Sequence, residues 1–135
     1  MSSIVADTHT AIWYVDAPTE LSARATAALD AAASTNGEYI YISAITLVEI
    51  QYLVEKNRID KAVQLQILQE IEDLSPRVLV YPLNTDVAAQ LANIPRNEVP
   101  DMPDRIIAAT ALLLGLPLVS CDSHIRKLTG IDVVW

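Results

Sequence analysis

Four acidic residues, Asp7, Glu49, Asp104 and Asp122, are the side chains of this 135-residue sequence whose types and settings could do chemistry together. Asp7 closes the apolar run Ile4-Val5-Ala6, and Asp122 follows Leu118-Val119-Ser120. Glu49 lies among Leu47, Val48, Ile50, Leu53 and Val54, and Asp104 precedes the nearly all-apolar stretch Ile106 to Leu114. A buried carboxylate without a partner is costly, yet up to Glu55 the only Lys or Arg is Arg24. Four carboxylates in one site repel and raise one another's pKa unless a cation neutralises them. An all-oxygen set of that kind selects Mg²⁺ or Mn²⁺ over zinc. A plainer reading stands beside this one. Asp7-Thr8, Asp60 and Asp122-Ser123 can each cap a helix, and Asp101 with Asp104 resembles a capping box. Glu49 caps nothing from the middle of an apolar stretch, and capping is compatible with cation binding because a helix N-terminus favours the same negative charge.

The elements that must position these acids are short β-branched runs alternating with helical patterns. Strands are expected at Ile4 to Ala6, Tyr39 to Ile42, Val78 to Tyr81, Leu118 to Ser120 and, as a fifth, Ile131 to Val134. Helices are expected over Ala11 to Tyr14, Ala23 to Ala33, and from a Ser43 cap through Val54. Others should start after Asp60 and stop at Pro76, cover Thr85 to Ala92, and run from near Asp101 to Leu114 with Gly115 as the stop. Alternation of this kind implies βαβ units, a parallel sheet and helices on both faces. Helix N-termini and strand C-termini then share one sheet edge, where open α/β folds bind ligands. All four acids fall on that edge.

Composition narrows the field. The formal net charge is −8, with 52% hydrophobic and 19% charged residues, so the chain is too apolar for disorder and too acidic for a non-specific nucleic-acid coat. A single cysteine excludes an internal disulfide framework, and two histidines with one thiol make a poor structural zinc set. No signal peptide is visible. The longest apolar stretch, Ile106 to Val119, is interrupted by Thr110, Gly115 and Pro117 and falls short of a membrane span. The expectation is one cytoplasmic domain over residues 1–135. Ser123 and His124 form no nucleophile signature, the three glycines form no phosphate loop, and Cys121 reads as a core residue. His9 and His124 read as structural or surface residues, and Tyr52 and Trp13 as packing residues.

The stretch Ile4-Val5-Ala6-Asp7-Thr8-His9, with Trp13 shortly after, resembles the opening of PIN-domain proteins of the VapC toxin type. Ile42-Ser43-Ala44-Ile45-Thr46-Leu47-Val48-Glu49 is similar to their second motif. Asp101-Met102-Pro103-Asp104-Arg105-Ile106-Ile107-Ala108-Ala109-Thr110-Ala111 is similar to the third, and Leu118-Val119-Ser120-Cys121-Asp122 with Ile125 to the fourth. The resemblance spans essentially the whole chain. Ser120 stands where many relatives carry Thr, and Ser123 and His124 stand where some carry a further acid.

The resemblance implies a PIN-like three-layer α/β/α sandwich around a mostly parallel sheet of four to five strands. It also implies a Mg²⁺-dependent (or Mn²⁺-dependent) endoribonuclease, the toxin of a toxin–antitoxin pair, with RNA as substrate, an antitoxin protein as partner and a homodimer as assembly. Asp7, Glu49, Asp104 and Asp122 match the family's acidic tetrad, with Asp7 and Asp104 as metal ligands. Thr8, Ser43, Thr46 and Ser120 are candidate supporting residues. Arg96, Arg105, Arg126 and Lys127 are candidate RNA contacts, or else solvated charges and intramolecular partners. Two rivals remain: a non-catalytic PIN-like protein-binding module, and a receiver-like phosphoacceptor domain, which also places acids at a parallel sheet edge.

Overall fold

Short β-branched runs pair into one sheet in the structure, a computed structural model that describes residues 2–135. Among these residues the strands are β1 (Ile4–Ala6), β2 (Ile40–Ser43), β3 (Val78–Tyr81), β4 (Leu118–Val119) and β5 (Val133–Val134). Every pairing is parallel, in the order β3-β2-β1-β4-β5. Parallel neighbours need crossovers. Helices α1 (Thr8–Asp16) and α2 (Ala23–Ser34) join β1 to β2, and α3 (Ala44–Glu55) and α4 (Lys61–Glu72) join β2 to β3. The connection from β3 to β4 holds α5 (Thr85–Gln90) and α6 (Met102–Leu114).

The strand order decides where a ligand can sit. From β1 the chain steps outward to β2 and β3, then returns to the other side of β1 to lay down β4. The connections leaving β1 and β4 therefore diverge, and the crevice outside their C-terminal ends is the topological switch point. Asp7 follows β1 directly, and Asp122 lies three residues beyond the end of β4. A receiver-like domain has the order 2-1-3-4-5, so the receiver-like alternative is overturned by this topology.

Side-chain alternation along the strands fills both faces. Val5 and Leu118 pack with Val87 of α5 and Ile106, Ile107 and Ala109 of α6. Ile4, Ala6, Ile40, Ile42 and Val119 point the other way, onto Ala25, Leu29 and Ala32 of α2. A third cluster, Ile12, Ile50, Val63 and Ile67, joins α1, α3 and α4. Each fully buried Leu or Ile contributes roughly 1.5–3 kcal/mol of hydrophobic stabilisation. The result is the three-layer arrangement expected from the sequence. Residues Ile106 to Ala111 are buried without a break, which fixes the start of α6, and Asp104 with it, against the sheet. At the other end Gly115 adopts φ 66°, the left-handed conformation that lets its amide bond back to Ala111 and Leu112. Among the described residues no helix is long and apolar enough to cross a membrane.

Some boundaries differ from the expectation. α1 starts at Thr8 rather than Ala11 because Asp7 caps it. α4 ends at Glu72, ahead of Pro76, and Asp60 stands at its N-cap position without a side-chain cap bond. β4 ends at Val119, although the Ser120 amide still donates to the Val134 carbonyl.

Candidate active site

The positioning bonds of the acids are short and local. Asp7, 7% exposed, accepts the Thr10 amide on Oδ1 at 2.9 Å. Asp122 accepts the amides of His124 (2.9 Å) and Ile125 (3.0 Å) on Oδ1, while its own amide donates to the buried Ser120 Oγ at 3.1 Å. Asp101 Oδ1 accepts the Asp104 amide at 3.0 Å, which sets the first turn of α6. The capping reading and the site reading therefore hold together. In Asp7 and Asp122 one oxygen is used for capping, and the other has no protein donor among the described residues.

Glu49 is held differently, by hydroxyls. Thr8 Oγ1 donates to Glu49 Oε1 at 2.5 Å and lies 3.1 Å from Thr46 Oγ1. A hydroxyl has one proton to give, so with Glu49 ionised the order is Thr46 to Thr8 to Glu49. Ser43 Oγ accepts the Ile45 amide and caps α3, outside the cavity lining. Among the supporting candidates, Thr8 thus touches Glu49 directly, Thr46 acts through Thr8, Ser120 orients the Asp122 backbone and Ser43 fixes the helix.

These elements surround a cavity of about 380 Å³ lined by Asp7, Thr8, His9, Trp13, Glu49, Asp101, Asp104, Cys121 and Asp122. Five of the nine are carboxylates. Among the described residues no Lys or Arg nitrogen comes within 4.0 Å of a carboxylate, and the one pairing within that distance is His124 Nδ1 to Asp122 Oδ1 at 3.8 Å. The cost is visible in the proton affinities. Burial, reinforced by the charges of Asp101, Asp122, Glu49 and Asp7, pushes Asp104 up to about 7. Burial also raises Glu49, against the opposing bond from Thr8.

The donor set fits a hard divalent cation in chemistry, since five carboxylates and the Thr8 hydroxyl outnumber the His9 ring and the Cys121 thiol. It is not a closed cage: among the described residues no three His, Cys, Asp or Glu side chains stand together as a ready ligand set. The acids share a cavity rather than crowding around a point. Mg²⁺ does not require such a cage, because it keeps several waters and takes one or two carboxylates plus substrate phosphate.

Other residues land in unexpected places. The Arg105 guanidinium donates to the carbonyls of Ile94 (2.8 Å) and Leu91 (2.9 Å), so it braces the loop before α6 and is the intramolecular partner, not the free phosphate grip. Arg96, Arg126 and Lys127 are exposed, and Arg126 lies near enough to the cavity to act on the Cys121 thiol. Cys121, expected in the core, is partly exposed and lines the cavity, where burial and Asp7 raise its pKa. Asp101, His9 and Trp13 line it as well. The signal for the last two was their i, i+4 spacing on α1, which brings their rings together in a tilted contact with centroids 5.6 Å apart.

Replacing Thr8 by Val removes both hydroxyl bonds while keeping the shape. Activity is expected to fall roughly 10- to 100-fold, the scale of a hydrogen bond to a charged group. The acid limb of the pH–rate profile should move upward as Glu49 loses its stabilising donor, and Thr8→Ser should restore both. A profile unchanged by Thr8→Val would remove Glu49 from the proton chemistry.

Comparison with known proteins places this geometry. The PIN domain family model matches residues 4–131. The chain is 30% identical over 127 residues to Ribonuclease VapC22 of Mycobacterium tuberculosis, covering 94% of this chain and 92% of that one. Among solved structures it matches FitAcB from Neisseria gonorrhoeae with a TM-score of 0.63 at 26% identity, over 96% of this chain and 95% of that one. It also matches VapBC2 from Rickettsia felis bound to a promoter DNA fragment with a TM-score of 0.69 at 17% identity, over 96% of both chains, which speaks for the fold alone. The chain belongs to the PIN-domain family, alongside the VapC ribonucleases.

Proposed function

We propose that this chain is a single PIN domain acting as the endoribonuclease toxin of a VapBC-type toxin–antitoxin module, hydrolysing RNA phosphodiester bonds with Mg²⁺ or Mn²⁺. The observation that carries the reading is one cavity at the sheet switch point lined by five carboxylates with no Lys or Arg among them. Kinship with a protein named Ribonuclease VapC22 supports the reaction class, and an antitoxin partner belongs to the same reading.

Asp7 and Asp104 would hold the cation. When bound, it lowers the pKa of a water and offsets charge developing on the phosphoryl oxygens. Glu49 accepts a proton from the attacking water, since a raised carboxylate pKa brings its basicity closer to neutral pH. Asp122, held by two amides and Ser120, keeps a free oxygen to orient solvent in the cavity. Asp101 sets the N-terminus of α6 and adds to the field that draws a cation in. Homodimerisation and a cytoplasmic location belong to the same reading, with the exposed Leu65, Leu74 and Leu83 as apolar surface for an assembly.

Water, rather than the RNA 2′-hydroxyl, is the nucleophile in this scheme, so the products should carry 5′-phosphate and 3′-hydroxyl ends. Sequencing of RNA 5′ ends after expression is expected to show defined cut sites, lost on EDTA treatment of the purified protein. A 2′,3′-cyclic phosphate, or cleavage that survives EDTA, would contradict the mechanism. No cleavage with either ion would return the chain to the alternative of a non-catalytic PIN-like binding module.

A further inference from the structure

We propose that the groove running from His9 along α3 receives the nucleobase of a nucleotide flanking the cleaved bond, with Tyr52 as its stacking platform, an inference that rests on the ribonuclease reading. Ile45, Val48, Glu49, Tyr52 and Lys56 recur at i, i+3, i+4, i+7 and i+11, which places them on one face of α3 and its C-cap. Ile45 and Glu49 turn inward, to the core and to Thr8, while the outer part of the face is open. Val48 is 50% and Tyr52 60% exposed, and Met102, 63% exposed, stands on the opposite wall. The groove encloses about 320 Å³, within the range of small-ligand sites.

Continuity and charge point to a nucleotide. His9 and Glu49 line both this groove and the carboxylate cavity, so a strand whose phosphate lies among the acids runs directly into it. The carboxylate cavity has no Lys or Arg in its lining, whereas the groove has Lys56, a partner for the next phosphate along. With a net charge of −8 the chain gains less from phosphate contacts than a basic protein would. Base contacts are the complementary source of affinity, and unpaired RNA bases bind by stacking on aromatic side chains. Tyr52 and the His9 ring are the aromatic surfaces that line this path.

The test is steady-state cleavage of an RNA carrying the cut site found by 5′-end sequencing, with Tyr52→Ala, Tyr52→Phe and Met102→Ala compared with the unaltered chain. Tyr52→Ala is expected to raise KM roughly 5- to 50-fold, the range for loss of one base–aromatic stack, with a smaller change in kcat. It should also relax the base preference at one position beside the cut. Phe should restore both, Met102→Ala should show a weaker form of the same change, and the thermal midpoints should agree with that of the unaltered chain. If the unaltered chain cleaves in a metal-dependent way but Tyr52→Ala and Met102→Ala keep its KM and base preference, the nucleobase groove is wrong and the ribonuclease reading stands. Loss of antitoxin capture by Tyr52→Ala without any change in RNA kinetics would likewise overturn the proposal and make the groove a protein-docking surface. Absence of cleavage by the unaltered chain would overturn both.

Discussion

Asp104→Asn is expected to lower cleavage by at least about 10²–10³-fold, the scale of losing one electrostatic stabiliser of a transition state, while raising the thermal midpoint of the ion-free protein. The opposite signs follow from one cause. Asp104 ionises at about 7 in the fold against an ordinary value of 3.8. Because the folded chain holds this proton more tightly than the unfolded chain, its contribution to stability is complete below pH 3.8 and lost as the pH rises through about 7. At pH 8 the fold therefore carries the cost of a charge among other carboxylates, and Asn removes it. Since Asp104 is only partly buried, the gain is discounted for solvent screening to about 1–2 kcal/mol, or a few degrees of midpoint. Asp7→Asn should likewise abolish cleavage without unfolding the chain, because an amide oxygen can still accept the Thr10 amide. Asp7→Ala loses that cap at a cost of about 1 kcal/mol. Differential scanning calorimetry in EDTA at pH 5 and 8 reads the sign, and a midpoint lowered by Asp104→Asn at pH 8 would mean that the charge cluster does not destabilise the ion-free fold.

The second large effect is on ion affinity. A carboxylate must be deprotonated to bind a cation, and Asp104 gives up its proton only near pH 7. Affinity for Mn²⁺ should therefore weaken below pH 7, approaching about tenfold per pH unit and reaching roughly 50-fold between pH 7 and 5, far more than an ordinary aspartate would give. Titration calorimetry at several pH values measures it directly, and Asp104→Asn should flatten the dependence as well as weaken binding. An affinity independent of pH over that range would show that Asp104 is not a ligand.

Much of the fold and site could be read from the sequence because local chemistry agreed with the global arrangement. The runs at Ile4, Ile40, Val78 and Leu118 have both the β-branched composition and the turn signals that set strands, and the helices between them dictate parallel pairing. The acids then share an edge through topology alone, which is why Asp7, Glu49, Asp104 and Asp122 come together from positions far apart in the chain. Details that depend on tertiary contacts were not legible. For the Arg105 side chain the sequence leaves RNA contact, solvated charge and intramolecular partner open, and only the Leu91 and Ile94 carbonyls that receive it decide for the last. Cys121 reads as core until the end of β4 is seen to open toward the cavity. Tyr52 reads as a packing aromatic because its helix face is apolar, and only the empty space opposite it marks a groove. The spacing of the carboxylates within the cavity was also invisible, since sequence places residues on an edge but not oxygens around a point.

A divalent ion lodged between the end of β1 and the start of α6 is the centre of the proposed reaction. Crystals of the chain soaked in Mn²⁺ test this most directly. An anomalous difference peak between the carboxylates of Asp7 and Asp104, absent from Asp104→Asn crystals, is the predicted result. No peak among these acids, in crystals of protein that still cleaves RNA, would contradict it.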